Sequence, residues 1–176
     1  SNFHFGTGRT EPYQDIGPDG PRCGTGLGPL AWPAWLAENA PAHLRCTDDL
    51  AWGHALEPKR TALRRRYVRL NTDRLVWWLF FDVDRWDAAL AHDEANVAVP
   101  NVVVQNPENG HAHLGYCLKR PVITSQKARP EPQAFLSAIV RGMTRRLGAD
   151  PGYGNYLAKN PLHAGWRTTW LQKRPY

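Results

Sequence analysis

The chain is short of cysteine and has no long hydrophobic run and no repeat, and each shortage excludes a class of protein. Cysteine occurs only as Cys23, Cys46 and Cys117. An odd, scattered set of this kind does not build a disulfide framework and suits a reducing cytoplasm. His43, Cys46 and His54 lie near one another but match no zinc spacing. No stretch approaches the ~18 consecutive apolar residues of a membrane span. The opening SNFHFGTGRT lacks the basic-then-apolar pattern of a secretory signal. Neither a repeat nor a coiled-coil heptad is present, and the Gly-rich GTGLG is followed by no Lys-Ser/Thr, so it is not a phosphate loop. Acidic residues are the scarcer charge: 16 Asp and Glu against 22 Lys and Arg give a net charge of +6 and a pI near 9.5. A basic globular domain without a membrane signal points to a polyanionic partner, of which nucleic acid is the commonest.

The stretch that is unusual is Leu75–Asp87, LVWWLFFDVDRWD. Its continuous apolar run, rich in Val, Trp and Phe, reads as a strand covered on both faces. The run ends in Asp82-Val83-Asp84. Alternate side chains of a strand share a face, so the two carboxylates point the same way and repel. A hard divalent cation resolves that conflict, because Mg²⁺ prefers carboxylate oxygens and keeps positions open for phosphates. The plain alternative is a strand that ends at solvent with two acidic residues.

The 176 residues suit one domain. Residues 1–30, rich in Gly and Pro, read as an extended arm, and residues 31–176 as the folded domain. Short helices are expected at Leu30–Leu36 and at Asp48–Leu56, the second capped by Thr47, with a basic helix or turn at Lys59–Arg66. Tyr67–Leu70 and Asn101–Gln105 read as strands, and Trp86–His92 as a short helix or turn. The turn Asn106–Gly110, with its Asn-Gly pair, returns the chain into a strand at His111–Leu118. The longest helical pattern is Glu131–Leu147, with Phe135, Ile139, Met143 and Leu147 as its apolar stripe and Gly148 as its stop.

Two further clusters can carry chemistry. His111 and His113 share one face of the returning strand and could bind phosphate or metal. The plain reading is that one of them caps the turn and neither is functional. Asp150, past the long helix, is the next acidic residue after Glu131 and offers a third carboxylate. Arginines gather at Arg64, Arg65 and Arg66 and again at Arg145 and Arg146, and either set could follow a phosphate backbone.

The blocks FFDVDRWD, NPENGHAHLGYCLKRPV and LGADPGYGNYLAKNPLHAGW resemble the Rep replicases of theta-replicating, colicin-type plasmids, which belong to the archaeo-eukaryotic primase superfamily. The resemblance runs from about Tyr67 to Trp170, whereas residues 1–60 resemble the family weakly. It implies an α+β fold, a primase-like sheet related to the RNA-recognition motif, with helices on one side and the active site on the open face. Tyr67–Leu70, Leu75–Asp84, Asn101–Gln105 and His111–Leu118 would form that sheet. It implies that Asp82, Asp84 and Asp150 hold two Mg²⁺ or Mn²⁺ ions, and that His111, His113 and Lys159 bind the triphosphate of an NTP or dNTP. Arg64–Arg66, Arg145 and Arg146 would then contact a DNA template. The implied activity is that of a plasmid replication initiator, a cytoplasmic monomeric primase or primase-polymerase. The origin-binding region of full-length relatives has no counterpart after Trp170.

Two other readings stand beside it. His111-Ala112-His113 with Tyr156-Leu157-Ala158-Lys159 also matches the metal and nucleophile motifs of rolling-circle nicking enzymes, in which Tyr156 would attack DNA. The other is a nucleic-acid-binding module with no catalysis at all.

Overall fold

The computed structural model describes residues 31–154, 156–172 and 175–176. The expected N-terminal arm, residues 1–30, lies outside them, as does Cys23. Helix α1 (Ala31–Asn39) precedes strands β1 (His43–Thr47) and β2 (Ala55–Pro58), the one-turn helix α2 (Lys59–Ala62) and the two-residue strand β3 (Tyr67–Val68). Strand β4 (Leu75–Val83), the short helix α3 (Ala91–Glu94), strands β5 (Val102–Gln105) and β6 (Ala112–Ile123) and the long helix α4 (Pro130–Leu147) follow. The described elements end with β7 (Ala158–Lys159) and β8 (Arg167–Trp170). They form two antiparallel sheets of four strands, ordered β2-β1-β3-β7 and β4-β6-β5-β8.

β4 is apolar from Leu75 to Phe81 because both its faces are covered. Leu79, Phe81 and Val83 join Val103 and Leu114 under Leu136, Ile139, Val140 and Met143 of α4. Trp78 and Phe80 face the other way, into a core shared with Trp32 and Leu36 of α1 and with Leu44, Cys46, Val68 and Ala158 of the first sheet. Trp32 is the hub of that core. Its ring stacks on Trp170 at 5.7 Å, meets Trp35 and Trp78 edge-on, and its Nε1 donates to the Gln172 carbonyl (2.6 Å). A register break in the β4–β6 ladder between Val76 and Trp78 is patched by buried Asn71. Its Oδ1 accepts from the Trp77 and Trp78 amides (2.8 and 2.9 Å), and its Nδ2 donates to the Trp78 carbonyl (2.8 Å).

Helices α3 and α4 cover one face of the β4-β6-β5-β8 sheet. The first sheet, with α1, packs against the opposite face. Tyr67–Val68 belongs to that first sheet, paired with β1 and β7 and not with β4. The helix expected at Asp48–Leu56 is a single 3-10 turn, Leu50–Trp52, followed by β2. Asp49, not Thr47, caps it, accepting from the Ala51 amide (2.9 Å). Gly53, at φ +80°, then turns the chain back to pair with β1, and that pairing overrides local helix propensity. In α4 the core-facing stripe is the partly buried Leu136, Ile139, Val140 and Met143 with buried Leu147, while Phe135 is exposed. Four-residue steps drift by about 40° each at 3.6 residues per turn, so a strict i+4 row walks off the core.

Candidate active site

Asp82 stands opposite His113 in the β4–β6 ladder, on the face roofed by the first sheet. His113 Nε2 lies 3.0 Å from Asp82 Oδ1, and Lys159 Nζ of β7 lies 3.4 Å from the same oxygen. The site therefore sits where the two sheets meet. The Lys159 amide donates to His113 Nδ1 (3.1 Å). An imidazole nitrogen that accepts from an amide carries no proton, so the ring proton is on Nε2 and is donated to Asp82. Complete burial holds the His113 pKa below its ordinary value, which agrees with a neutral ring. Burial pushes the Asp82 carboxyl up, but the His113 hydrogen bond and the Lys159 charge outweigh it and leave the pKa below the usual carboxylate value. Burial likewise lowers Lys159, and the Asp82 charge offsets part of that. The centre is thus an Asp82–Lys159 ion pair steadied by a neutral histidine.

Two aromatic rings set the histidine. Tyr153 meets it edge-on at 4.9 Å and is itself fixed by its hydroxyl donating to the Leu157 carbonyl (2.9 Å). Phe80 lies at 6.4 Å, over the position where Gly115 has no side chain. A Cβ at Gly115 would come within 2.6 Å of Phe80 and 2.7 Å of Val102.

Asp84 is exposed at the strand end, with His111 Nδ1 3.0 Å from its Oδ1. The turn before His111 explains that placement. Gly110, at φ +79°, presses against the backbone of Trp86, where a Cβ would fall 2.0 Å from the Trp86 carbonyl oxygen. The hairpin tip and the Asp84–Trp86 segment are therefore locked together. Asp150 reaches the same strand end through its backbone, its amide donating to the Asp82 carbonyl (2.8 Å). Its exposed carboxylate accepts from the Gly152 amide (2.7 Å). Asp82, Asp84 and Asp150 are oxygen donors only, the set a hard divalent cation prefers. Among the described residues no three His, Cys, Asp or Glu side chains converge into a ready-made metal cage.

The arginines separate by role. The Arg65 fork is taken up by Glu57 (2.9 Å) and Asp48 (2.8 Å). Arg64 and Arg66 are exposed, with the Arg66 guanidinium 4.6 Å above the Trp166 ring. Arg145 and Arg146 are also exposed, but α4 lies across the sheet from His113, and Arg146 donates to the Ala95 carbonyl (2.6 Å). Tyr156 rests against His54 (5.1 Å) and under the Arg69 guanidinium (4.6 Å). With both His113 nitrogens engaged, a two-histidine metal site beside a Tyr156 nucleophile finds no support in this arrangement. Sequence reasoning missed Asn160. Fully buried, it donates to the Leu63 and Arg65 carbonyls (2.9 and 2.8 Å), and its amide donates to the Arg66 carbonyl (2.8 Å). It fixes the arginine loop to the strand carrying Lys159, and its one sequence signal was the Asn-Pro that follows that lysine. Cys46 and Cys117 are buried free thiols, and burial, with Glu57 beside it, pushes Cys46 up to about 11.

No curated protein matches the chain. Among solved structures, the AEP domain of the cyanophage S-2L primase-polymerase shares its fold, with a TM-score of 0.56 over 84% of this chain and 91% of that one, at 11% identity. The mixed α+β architecture is thus that of an archaeo-eukaryotic primase domain. A family model described as the Replicase family matches residues 39–176, and the chain, with Asp82, His113 and Lys159 inside that span, belongs to that family.

Proposed function

We propose that this domain is a primase or primase-polymerase that joins nucleotides into a short primer on a DNA template and so starts plasmid replication. The observation that carries the reading is the convergence of Asp82, His113 and Lys159 at the junction of the sheets, with Asp84 exposed beside them. Membership of the Replicase family and the fold shared with a primase-polymerase domain support it.

Asp82, Asp84 and Asp150 would hold Mg²⁺ or Mn²⁺. Such ions supply Lewis acidity, favouring the alkoxide of a primer 3′-hydroxyl and neutralising charge on the departing pyrophosphate. Mg²⁺ is commonly bound by one or two carboxylates together with substrate phosphates, so it needs no closed protein cage. The chain's own groups then divide the work. His113 donates through Nε2 and keeps the Asp82 carboxylate ionised and oriented. Lys159 balances the charge on Asp82 in the substrate-free site and would turn its ammonium toward an NTP or dNTP triphosphate. His111 can donate to a phosphate oxygen from the rim. Arg64 and Arg66 present the charge that a template backbone needs, and Arg145 and Arg146 present a second basic edge.

The experiment is incorporation of labelled nucleotides on a single-stranded template. Asp84→Ala abolishes synthesis and Tyr156→Phe largely spares it. If Tyr156→Phe alone removes activity and the wild type forms a covalent protein–DNA adduct, the domain is a nicking enzyme instead.

A further inference from the structure

Trp52 is 87% exposed, the most of any large hydrophobic residue among those described. It does not sit on a loose loop. Its 3-10 turn is closed at one end by the Asp49 carboxylate accepting from the Ala51 amide (2.9 Å), and at the other by the Gly53 amide donating to the Leu50 carbonyl. An indole held in water by an ordered backbone adds nothing to the core and presents a flat apolar face with a polar edge to a partner.

Both ends of this turn lead back to the active site. On one side Asp48 accepts from the Arg66 amide (2.9 Å) and pairs with Arg65, while the Arg66 carbonyl accepts from Asn160, the neighbour of Lys159. On the other side His54 packs on Tyr156, whose ring carries the Arg69 guanidinium. The surface between them carries guanidiniums and aromatic rings: Arg64 and Arg66 are exposed, while Arg65 is held between Asp48 and Glu57 and Asp49 accepts from the Ala51 amide. The other well-exposed indole, Trp86 at 79%, lies beside Asp84 at the strand end, where its neighbour Arg85 is taken up by Asp87 (3.3 Å) and Glu94.

We propose that Trp52 is a base-stacking platform for single-stranded DNA that reaches the site across the Arg64–Arg66 loop. Every base has a π-face, so an indole captures a strand without reading its sequence, while neighbouring guanidiniums follow the backbone. This extends the nucleotidyl-transfer reading by naming where the template is held, yet it can be tested apart from it.

The test is fluorescence anisotropy of a labelled oligothymidylate on the full chain, with neither nucleotide nor divalent ion present, so that primer synthesis has no bearing on the outcome. Trp52→Ala weakens binding about ten-fold or more, and Trp52→Phe restores most of it. Trp52→Ala leaves the salt dependence and the melting temperature as they were, whereas Arg64→Ala lowers the salt slope by about 0.7. Trp86→Ala binds as the wild type does. Undiminished binding by Trp52→Ala, failure of the wild type to bind at low salt, or a loss confined to Trp86→Ala each overturns the proposal. So does a change in sedimentation mass of Trp52→Ala without a change in DNA binding, which would assign Leu50, Trp52 and Leu56 to a protein contact.

Discussion

The backbone amide of Lys159 donates to Nδ1 of His113, and this one bond decides what the histidine can be. Its proton is confined to Nε2, facing Asp82, so in the substrate-free protein the ring is a neutral donor to a carboxylate. Protonating Nδ1 would set two N–H groups against each other inside a buried site.

Stability should therefore depend on pH through His113. Its folded pKa lies below the ordinary ~6.5 of the unfolded chain, so the unfolded state binds more protons in that window. The stabilisation is complete above about pH 6.5 and is lost as pH falls toward the depressed folded value. Urea unfolding of metal-free protein at neutral and mildly acidic pH measures it. His113→Gln, which keeps a donor for Asp82 but does not titrate, shows a smaller loss across the same interval. Equal losses in both proteins contradict the assigned tautomer.

Gly110 and Gly148 both adopt positive φ, but only Gly110 faces a neighbouring backbone. Gly148→Ala costs the left-handed strain alone, about 1–2 kcal/mol. Gly110→Ala adds displacement of the hairpin tip from Trp86, a further ~1–3 kcal/mol of overpacking. It also moves His111 away from Asp84, so activity falls more than stability explains. Chemical denaturation of the two variants, with synthesis assayed where each remains folded, separates the terms.

Asn160→Ala removes the donors that the Leu63 and Arg65 carbonyls rely on. Leaving buried polar groups unpaired costs about 1–3 kcal/mol for each such loss. The Arg64–Arg66 loop then loses its fixed path. DNA binding weakens along with thermal stability, whereas Arg64→Ala weakens binding and leaves stability unchanged. Calorimetry and anisotropy on both variants check this.

What could be read from the chain was what local pattern encodes. The strand ending in Asp82 and Asp84, the Asn-Gly hairpin that delivers His111 and His113, and α4 with its Gly148 stop each rest on periodicity or turn chemistry within a few residues. The first sheet was not legible, because β3 and β7 are two residues long and exist through their partners. The role of Lys159 could not be read from its neighbours either. Its bond to His113 spans 46 residues of sequence, and no propensity signals such a contact. Arg65 looked the same as Arg64 in the sequence, and only Glu57 and Asp48, brought alongside by β1 and β2, divert it from phosphate.

The Asp82–Lys159 pair joins residues 77 positions apart, and the Trp32–Gln172 bond spans 140. A ribosome-bound chain would already have finished β4, the hairpin and α4 while β7 and β8 were still unmade. Its carboxylates would stand at the strand end without their ammonium, and the Trp32 core would be open. The domain thus gains its central ion pair and its closure in the same late interval of synthesis, and a product cut short before Lys159 lacks both.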